Sequence, residues 1–223
     1  YVGKPYELPF SESFANGRVY HSWYYTCNDY KGGFNMYSGM SVDGDNFVTA
    51  YQPYTLGSTS SLNLGKISLK DAENPKVIFA FYNTPGRDNT LAVTVCPDGQ
   101  AAVDTIFYRN FMENSDPEGW YYSVIDMDQY KDASYFLLSF VAYVNDAKFD
   151  MVIVDDVNVR DTKDYDLETS LTTQFHTTAG EALKVQSKVR NIGVMTAESY
   201  SVNPNDNGPT TLGAAIAIAQ HVT

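Results

Sequence analysis

Phe149-Asp-Met-Val-Ile-Val-Asp-Asp-Val-Asn-Val159 reads as a β-strand. β-branched residues crowd it, and no apolar stripe at helical spacing runs through it. In a strand, alternate residues share a face. Met151, Ile153, Val157 and Val159 then lie on one side with Asp155 among them, while Asp156 shares the other side with Asn158. A carboxylate turned toward a core is costly unless it is paired or bound. Two readings of Asp155 are open. Either it ligates a structural cation together with Asp43, Asp45 or Glu12, or it accepts backbone N–H groups or meets a Lys or Arg. Since only oxygen donors are on offer, the cation of the first reading is Ca2+. Asp43-Gly-Asp45 is at the same time a plain turn signal.

Outward from this strand the same pattern recurs. Strand-like runs cover Phe47 to Tyr51, Ser61 to Leu69, Lys76 to Tyr82, Leu91 to Val95, Ala102 to Tyr108, Tyr121 to Ile125 and Tyr135 to Val144. Between them lie Asn83-Thr-Pro-Gly-Arg-Asp-Asn89, Pro97-Asp-Gly-Gln100 and Asn114-Ser-Asp-Pro-Glu-Gly119, which hold the residues tight turns demand. No stretch keeps a helical stripe over several turns. Many short strands with such spacing predict an all-β sandwich or jelly roll.

A boundary falls in the polar run Arg160-Asp-Thr-Lys-Asp-Tyr165. Strand patterns resume at Leu167 to Phe175, Leu183 to Val189 and Glu198 to Val202. Asn203-Pro-Asn-Asp-Asn-Gly-Pro209 is a loop signal. Leu212 to Ala219 suits either a strand or a short helix. The division is therefore 1–162 and 163–223, the second piece being shorter than the ~100 residues an Ig-like sandwich takes.

The chain of 223 residues carries 15 Lys plus Arg against 27 Asp plus Glu, a formal net charge of -12. Such a balance excludes a nucleic-acid partner, whose phosphates need a positive counterpart, and it disfavours an anionic membrane surface. No apolar run is long enough to span a membrane. Beginning at Tyr1 rather than Met, the sequence reads as an interior segment or a processed product. Cys27 and Cys96 can form one bridge or remain two thiols.

Tyr is abundant, at 18 residues, with 12 Phe and 2 Trp. His21-Ser-Trp-Tyr-Tyr25 with Tyr30, Phe34 and Tyr37 forms an aromatic-rich excursion between strands. Rings with polar tips suit sugar rings or protein partners, which makes Trp23, Tyr24, Tyr30 and Tyr37 the candidate ligand-binding residues. The competing reading is that Trp23 and alternate Tyr side chains fill the sandwich; Trp120, at the head of a strong strand, is read as core. Catalysis finds little support. Only His21, His176 and His221 are present, with no nucleophile elbow, phosphate loop or dinucleotide fingerprint, and no Glu-rich strand presents two carboxylates on one face.

Five segments, in order, resemble the MAM-like, choice-of-anchor J and cleaved-adhesin modules. They are Leu8-Pro-Phe-Ser-Glu-Ser-Phe14, Val42 to Tyr51, Gly57 to Leu69, Gly119-Trp-Tyr-Tyr-Ser-Val-Ile-Asp-Met-Asp-Gln-Tyr130, and Ile153-Val-Asp-Asp-Val-Asn-Val159. The likeness implies a galactose-binding-like jelly-roll sandwich over 1–162, found in exported or cell-surface multidomain proteins, non-catalytic, and often holding structural Ca2+. Tyr165 to Leu171, Ala179 to Val185 and Val189-Arg-Asn-Ile-Gly193 resemble the Ig-like modules of CARDB type that follow such domains, which implies a smaller, incomplete Ig-like β-sandwich over 163–223. The expected role is binding or adhesion toward glycan or a host or matrix protein, in a secreted or surface protein alongside other domains of the same polypeptide. The alternative is a structural spacer or accessory domain beside a protease or glycoside hydrolase.

Overall fold

The computed structural model describes residues 3–30, 32–100, 103–147, 149–163, 166–171 and 187–191. It divides into two units, Tyr1–Thr162 and Lys163–Thr223. In the second, the described residues form β12 (Leu167–Leu171) and β13 (Ser187–Asn191), an antiparallel pair with Thr169 opposite Val189. The expected strand at Glu198 to Val202, the segment Leu212 to Ala219 and the Ig-like reading as a whole fall outside the described residues.

The first unit is a two-sheet antiparallel sandwich. Its strands are β1 (Phe10–Glu12), β2 (Trp23–Cys27), β3 (Asn35–Ser38), β4 (Phe47–Tyr51), β5 (Ser58–Ile67), β6 (Pro75–Asn83), β7 (Asn89–Pro97), β8 (Asp104–Asn110), β9 (Gly119–Asp126), β10 (Phe136–Val144) and β11 (Val152–Asp161). One sheet has the order β3-β4-β11-β6-β9, with β1 also on β11; the other has the order β2-β5-β10-β7-β8. Apart from β3-β4 and β7-β8, the neighbours are non-consecutive in the chain, which gives the jelly-roll winding. Among the described residues no α-helix occurs, only short 3-10 turns at Ala15–Gly17 and Asp128–Tyr130, and no helix is long and apolar enough to cross a membrane.

Alternation builds the core. Phe136, Leu138, Phe140, Ala142 and Val144 of β10 point inward with Leu91, Val93 and Val95 of β7, and Val77, Phe79 and Phe81 of β6 meet them from the other sheet. Phe79 stacks edge-on against Phe140 with centroids 5.2 Å apart, which ties the two layers together. The residues between these on β10 and β7 are half-buried, as expected of sheet faces turned to solvent.

The strand at 152–161 departs from the parity assumed above. β4 pairs with its first half, Ile153 opposite Ala50, and β1 pairs with its second half, Glu12 opposite Val157. Between them the register with β6 slips between Asp155 and Asn158. Asp156 takes the left-handed conformation there, φ 46°, which Asp tolerates better than most residues. This bulge reverses the alternation. Val152, Val154, Val157 and Val159 face the main core, whereas Ile153 faces the opposite side with Val48 and Ala50. The expectation that Asp155 shares the core face with Val157 and Val159 is thus corrected: it lies on the outer face of its sheet.

Cys27 and Cys96 are free. Cys27 sits opposite Ser60, Ser60 opposite Ala142, and Ala142 opposite Leu91, several residues along β7 from Cys96. Three strand spacings, about 14 Å, exceed what a disulfide spans.

The β2–β3 connection is packed without slack. A Cβ on Gly33 would lie 2.5 Å from Tyr25 Cδ2 and 2.5 Å from Ser60 Oγ. That hydroxyl accepts from Phe34 N at 3.2 Å and donates to Thr26 O at 3.0 Å. Gly33→Ala is expected to displace the Tyr25 ring and cost about 1–3 kcal/mol, read as a drop of several degrees in Tm; an unchanged Tm would mean the loop can swing clear.

Candidate ligand-binding face

The aromatic excursion splits between the two sheets. Trp23 and Tyr24 are on β2, an edge strand of one sheet, and Tyr37 is on β3, an edge strand of the other. Trp23 and Tyr25 share one face of β2, with rings 6.2 Å apart, and Tyr24 lies on the other. Tyr30 is 77% exposed on the loop after β2. Asp29 anchors that loop by accepting from Tyr54 N at 2.5 Å and Thr55 Oγ1 at 3.3 Å. Tyr37 packs in a small satellite cluster around Val48, Ala50 and Ile153. The four candidates do not form one platform. Trp120, read as core, lies instead on that same satellite cluster, its ring edge-on to Tyr82 at 5.5 Å.

The four candidate metal ligands divide: Asp43 and Asp45 lie close enough to Asp155 for their charges to act on it, whereas Glu12 is engaged elsewhere. Glu12 is fully buried and accepts from Phe14 N (3.2 Å), Tyr20 N (2.7 Å) and His21 N (3.2 Å), with His21 Nδ1 at 3.0 Å. Asp155 accepts from Val42 N through Oδ2 and from Asp156 N through Oδ1, both at 2.8 Å. Asp43 and Asp45 each accept a backbone N–H two residues on, Asp45 N and Phe47 N, so the segment is an Asx turn. Among the described residues no group of three or more His, Cys, Asp or Glu is placed to hold a metal ion. The residues present do not fit the four-ligand Ca2+ set. The other reading of Asp155, as a backbone acceptor, describes its geometry.

Burial, followed by the charges of Asp43 and Asp45, pushes the Asp155 carboxyl up to about 7. A carboxyl near that value suits a general acid. Asp155, however, is fully buried with both oxygens engaged by backbone N–H groups, so no substrate reaches it.

The outer face of the sheet β2-β5-β10-β7-β8 has a different chemistry. Register places Tyr24, Asn63, Ser139 and Thr94 in one row across the strands. Thr26, Ser61, Val141, Ala92 and Tyr108 make the next, and Thr59, Tyr143, Thr90 and Asn110 a third. Their polar groups are held in place. Asn63 Nδ2 donates to Tyr24 O and Ser61 Oγ, Ser139 Oγ donates to Asn63 Oδ1 at 2.7 Å, and the Thr26 and Ser61 hydroxyls are 2.5 Å apart. Tyr24 and Tyr108 are 45% and 62% exposed on the two edge strands; at about 4.8 Å per strand they stand about 19 Å apart. At the strand positions of this face Lys66 is the one charged residue, and its ammonium sits 4.8 Å from the Tyr135 ring centroid. Of the four candidate ligand residues, Tyr24 alone belongs here. Two further residues of this face are marked in the sequence, Asn63 between Leu62 and Leu64 and Tyr143 between Ala142 and Val144, whereas Tyr108 lies in a strand without polar alternation.

Two stacked antiparallel sheets in this order define a jelly-roll β-sandwich of the kind that adhesin and carbohydrate-binding domains share. Two cleaved adhesin domains of Lys-gingipain from Porphyromonas gingivalis are similar in structure. One is 17% identical, with a TM-score of 0.53 over 68% of this chain and 97% of that one. The other is 16% identical, with a TM-score of 0.51 over 68% and 96%. A structure described under carbohydrate-binding modules of the β-sandwich superfamily is 10% identical, with a TM-score of 0.50 over 66% of this chain and 60% of that one. At these identities the likeness establishes the fold. No protein-family model and no curated protein matches the sequence.

Proposed function

We propose that the first unit is a non-catalytic glycan-binding module of a secreted or cell-surface protein, and that it engages its ligand on the outer face of the β2-β5-β10-β7-β8 sheet. The observation that carries this is the make-up of that face. A chain with a formal net charge of -12 presents five strands whose outward positions are hydroxyls, amides, tyrosines and a few apolar groups, with Lys66 the one charged residue. Sugars offer hydroxyls that both donate and accept, and C–H faces that rest on aromatic rings; Ser, Thr, Asn and Tyr supply the complement. Hydrogen bonds among Thr26, Ser61, Asn63 and Ser139 fix those groups before a ligand arrives, which lowers the ordering cost of binding. The sandwich fold it shares with adhesin and carbohydrate-binding domains supports the reading.

Tyr24→Ala and Tyr108→Ala, alone and together, test it on a glycan array followed by calorimetry. Each is expected to weaken binding at least about fivefold while Tm stays within about 2 °C, as for other surface substitutions. Unchanged binding in the double variant, or a blank array, would remove the glycan reading. A pull-down that retains one matrix protein through the same tyrosines would replace it with protein recognition.

A further inference from the structure

Resting on the glycan reading, the electrostatics of the same face narrow the ligand class. We infer that the module selects neutral glycans and rejects those carrying carboxylate or sulfate groups. A buried or half-buried anion needs a cation or several aligned N–H donors to replace its water. On this face the strand positions supply Lys66 alone, and its ammonium is directed at the Tyr135 ring rather than toward Tyr24, Asn63 or Tyr108. Backbone N–H groups cannot substitute, because the three inner strands are paired on both sides. The donors that remain are hydroxyls and amides, and these accept as readily as they donate, so they favour a hydroxyl over an ion.

The remainder of the molecule works in the same direction. With 21 acidic against 11 basic residues in 1–162, the field around the sandwich lowers the local concentration of anions. The turns at the ends of the sheet add to it. Asp88 and Asp146 stand beside the β7 and β10 ends of the face, and the Arg87 guanidinium among them is engaged by Asp146 at 2.7 Å. A ligand overhanging that end meets no spare cation from this arginine.

Neutral hexose and pentose oligosaccharides and their uronate or sulfated counterparts, matched in length, provide the test by calorimetry on the whole chain. Neutral ligands are expected to bind with an affinity that changes less than about twofold between roughly 0.05 and 0.5 M NaCl, since no ion pair is there to screen. Charged counterparts are expected to bind at least about tenfold more weakly. Equal or tighter binding of a uronate or sulfated ligand, lost in Tyr24→Ala/Tyr108→Ala, would overturn the neutral-ligand inference and leave the glycan reading standing. Binding of no oligosaccharide of either kind would remove both.

Discussion

Replacing Glu12 by alanine is expected to destabilise the first unit by about 3–5 kcal/mol and to lower its Tm by roughly 10 °C. The carboxylate is fully buried where β1 ends, and the chain wraps around it: Phe14, Tyr20 and His21 all turn their backbone N–H groups onto its oxygens. The chain reaches these positions through Phe14 and Asn16 in the left-handed region, φ 56° and 57°. The loop therefore has no sheet partner to satisfy those donors, and the side chain does so in its place. Alanine would leave the N–H groups without an acceptor and open a hole beside Phe10, whose ring contacts His21 at 4.3 Å between centroids. Glu12→Gln keeps acceptor oxygen and shape and is expected to cost less. Denaturant and thermal unfolding monitored by tryptophan fluorescence give the free-energy and Tm changes; a Tm for the alanine variant within about 2 °C of the parent would show that the loop finds other acceptors.

The second large effect is a pH dependence centred on Asp155. Burial, together with the nearby Asp43 and Asp45, raises its carboxyl to about 7, against an ordinary 3.8. Between these values the folded chain holds a proton at this site that the unfolded chain has lost. Stability from this group is therefore full below the unfolded value and declines as pH rises toward 7, by up to about 4 kcal/mol if the whole shift is realised. Asp155→Asn removes the titration. Its carbonyl can still accept from one backbone N–H, and its amide can donate toward the acidic turn. The parent-minus-variant difference in unfolding free energy, measured from pH 4.5 to 8, cancels the other titrating groups. It is expected to fall with rising pH, leaving the variant relatively more stable at pH 8. A flat difference would place the Asp155 carboxyl at an ordinary value.

Much of the sandwich was legible in local pattern. Phe47–Tyr51 forms the strand expected of it, the runs on β6 and β7 lie within the observed strands, and the run from Tyr135 starts one residue before β10. β7 and β10 bury alternate side chains and their sequence records that period, whereas β4 and β6 are buried at nearly every position and read as continuous apolar runs. The aromatic excursion was harder. Trp23–Cys27 and Asn35–Ser38 are strands whose side chains are largely exposed or half-buried at sheet edges, so no alternation of apolar and polar residues marks them. Sequence pattern puts Asp155 on the core face for a related reason. Period-2 counting assumes an unbroken ladder, and the slip at Asp156 appears only when β1, β4 and β6 are set beside β11.

Local chemistry along the chain thus sufficed for an all-β architecture, for the positions of most strands, and for the choice of hydroxyl, amide and tyrosine at the outward positions of β5, β7 and β10. Gathering those positions into a single face, with Lys66 its one charged strand residue, was settled by the strand order β2-β5-β10-β7-β8, since side chains far apart in the chain become neighbours only through pairing that no one segment encodes. The same holds for Glu12 and Asp155. Their carboxyl groups read as metal ligands in isolation, and it is the folded backbone, by delivering N–H donors to their oxygens, that makes them structural acceptors.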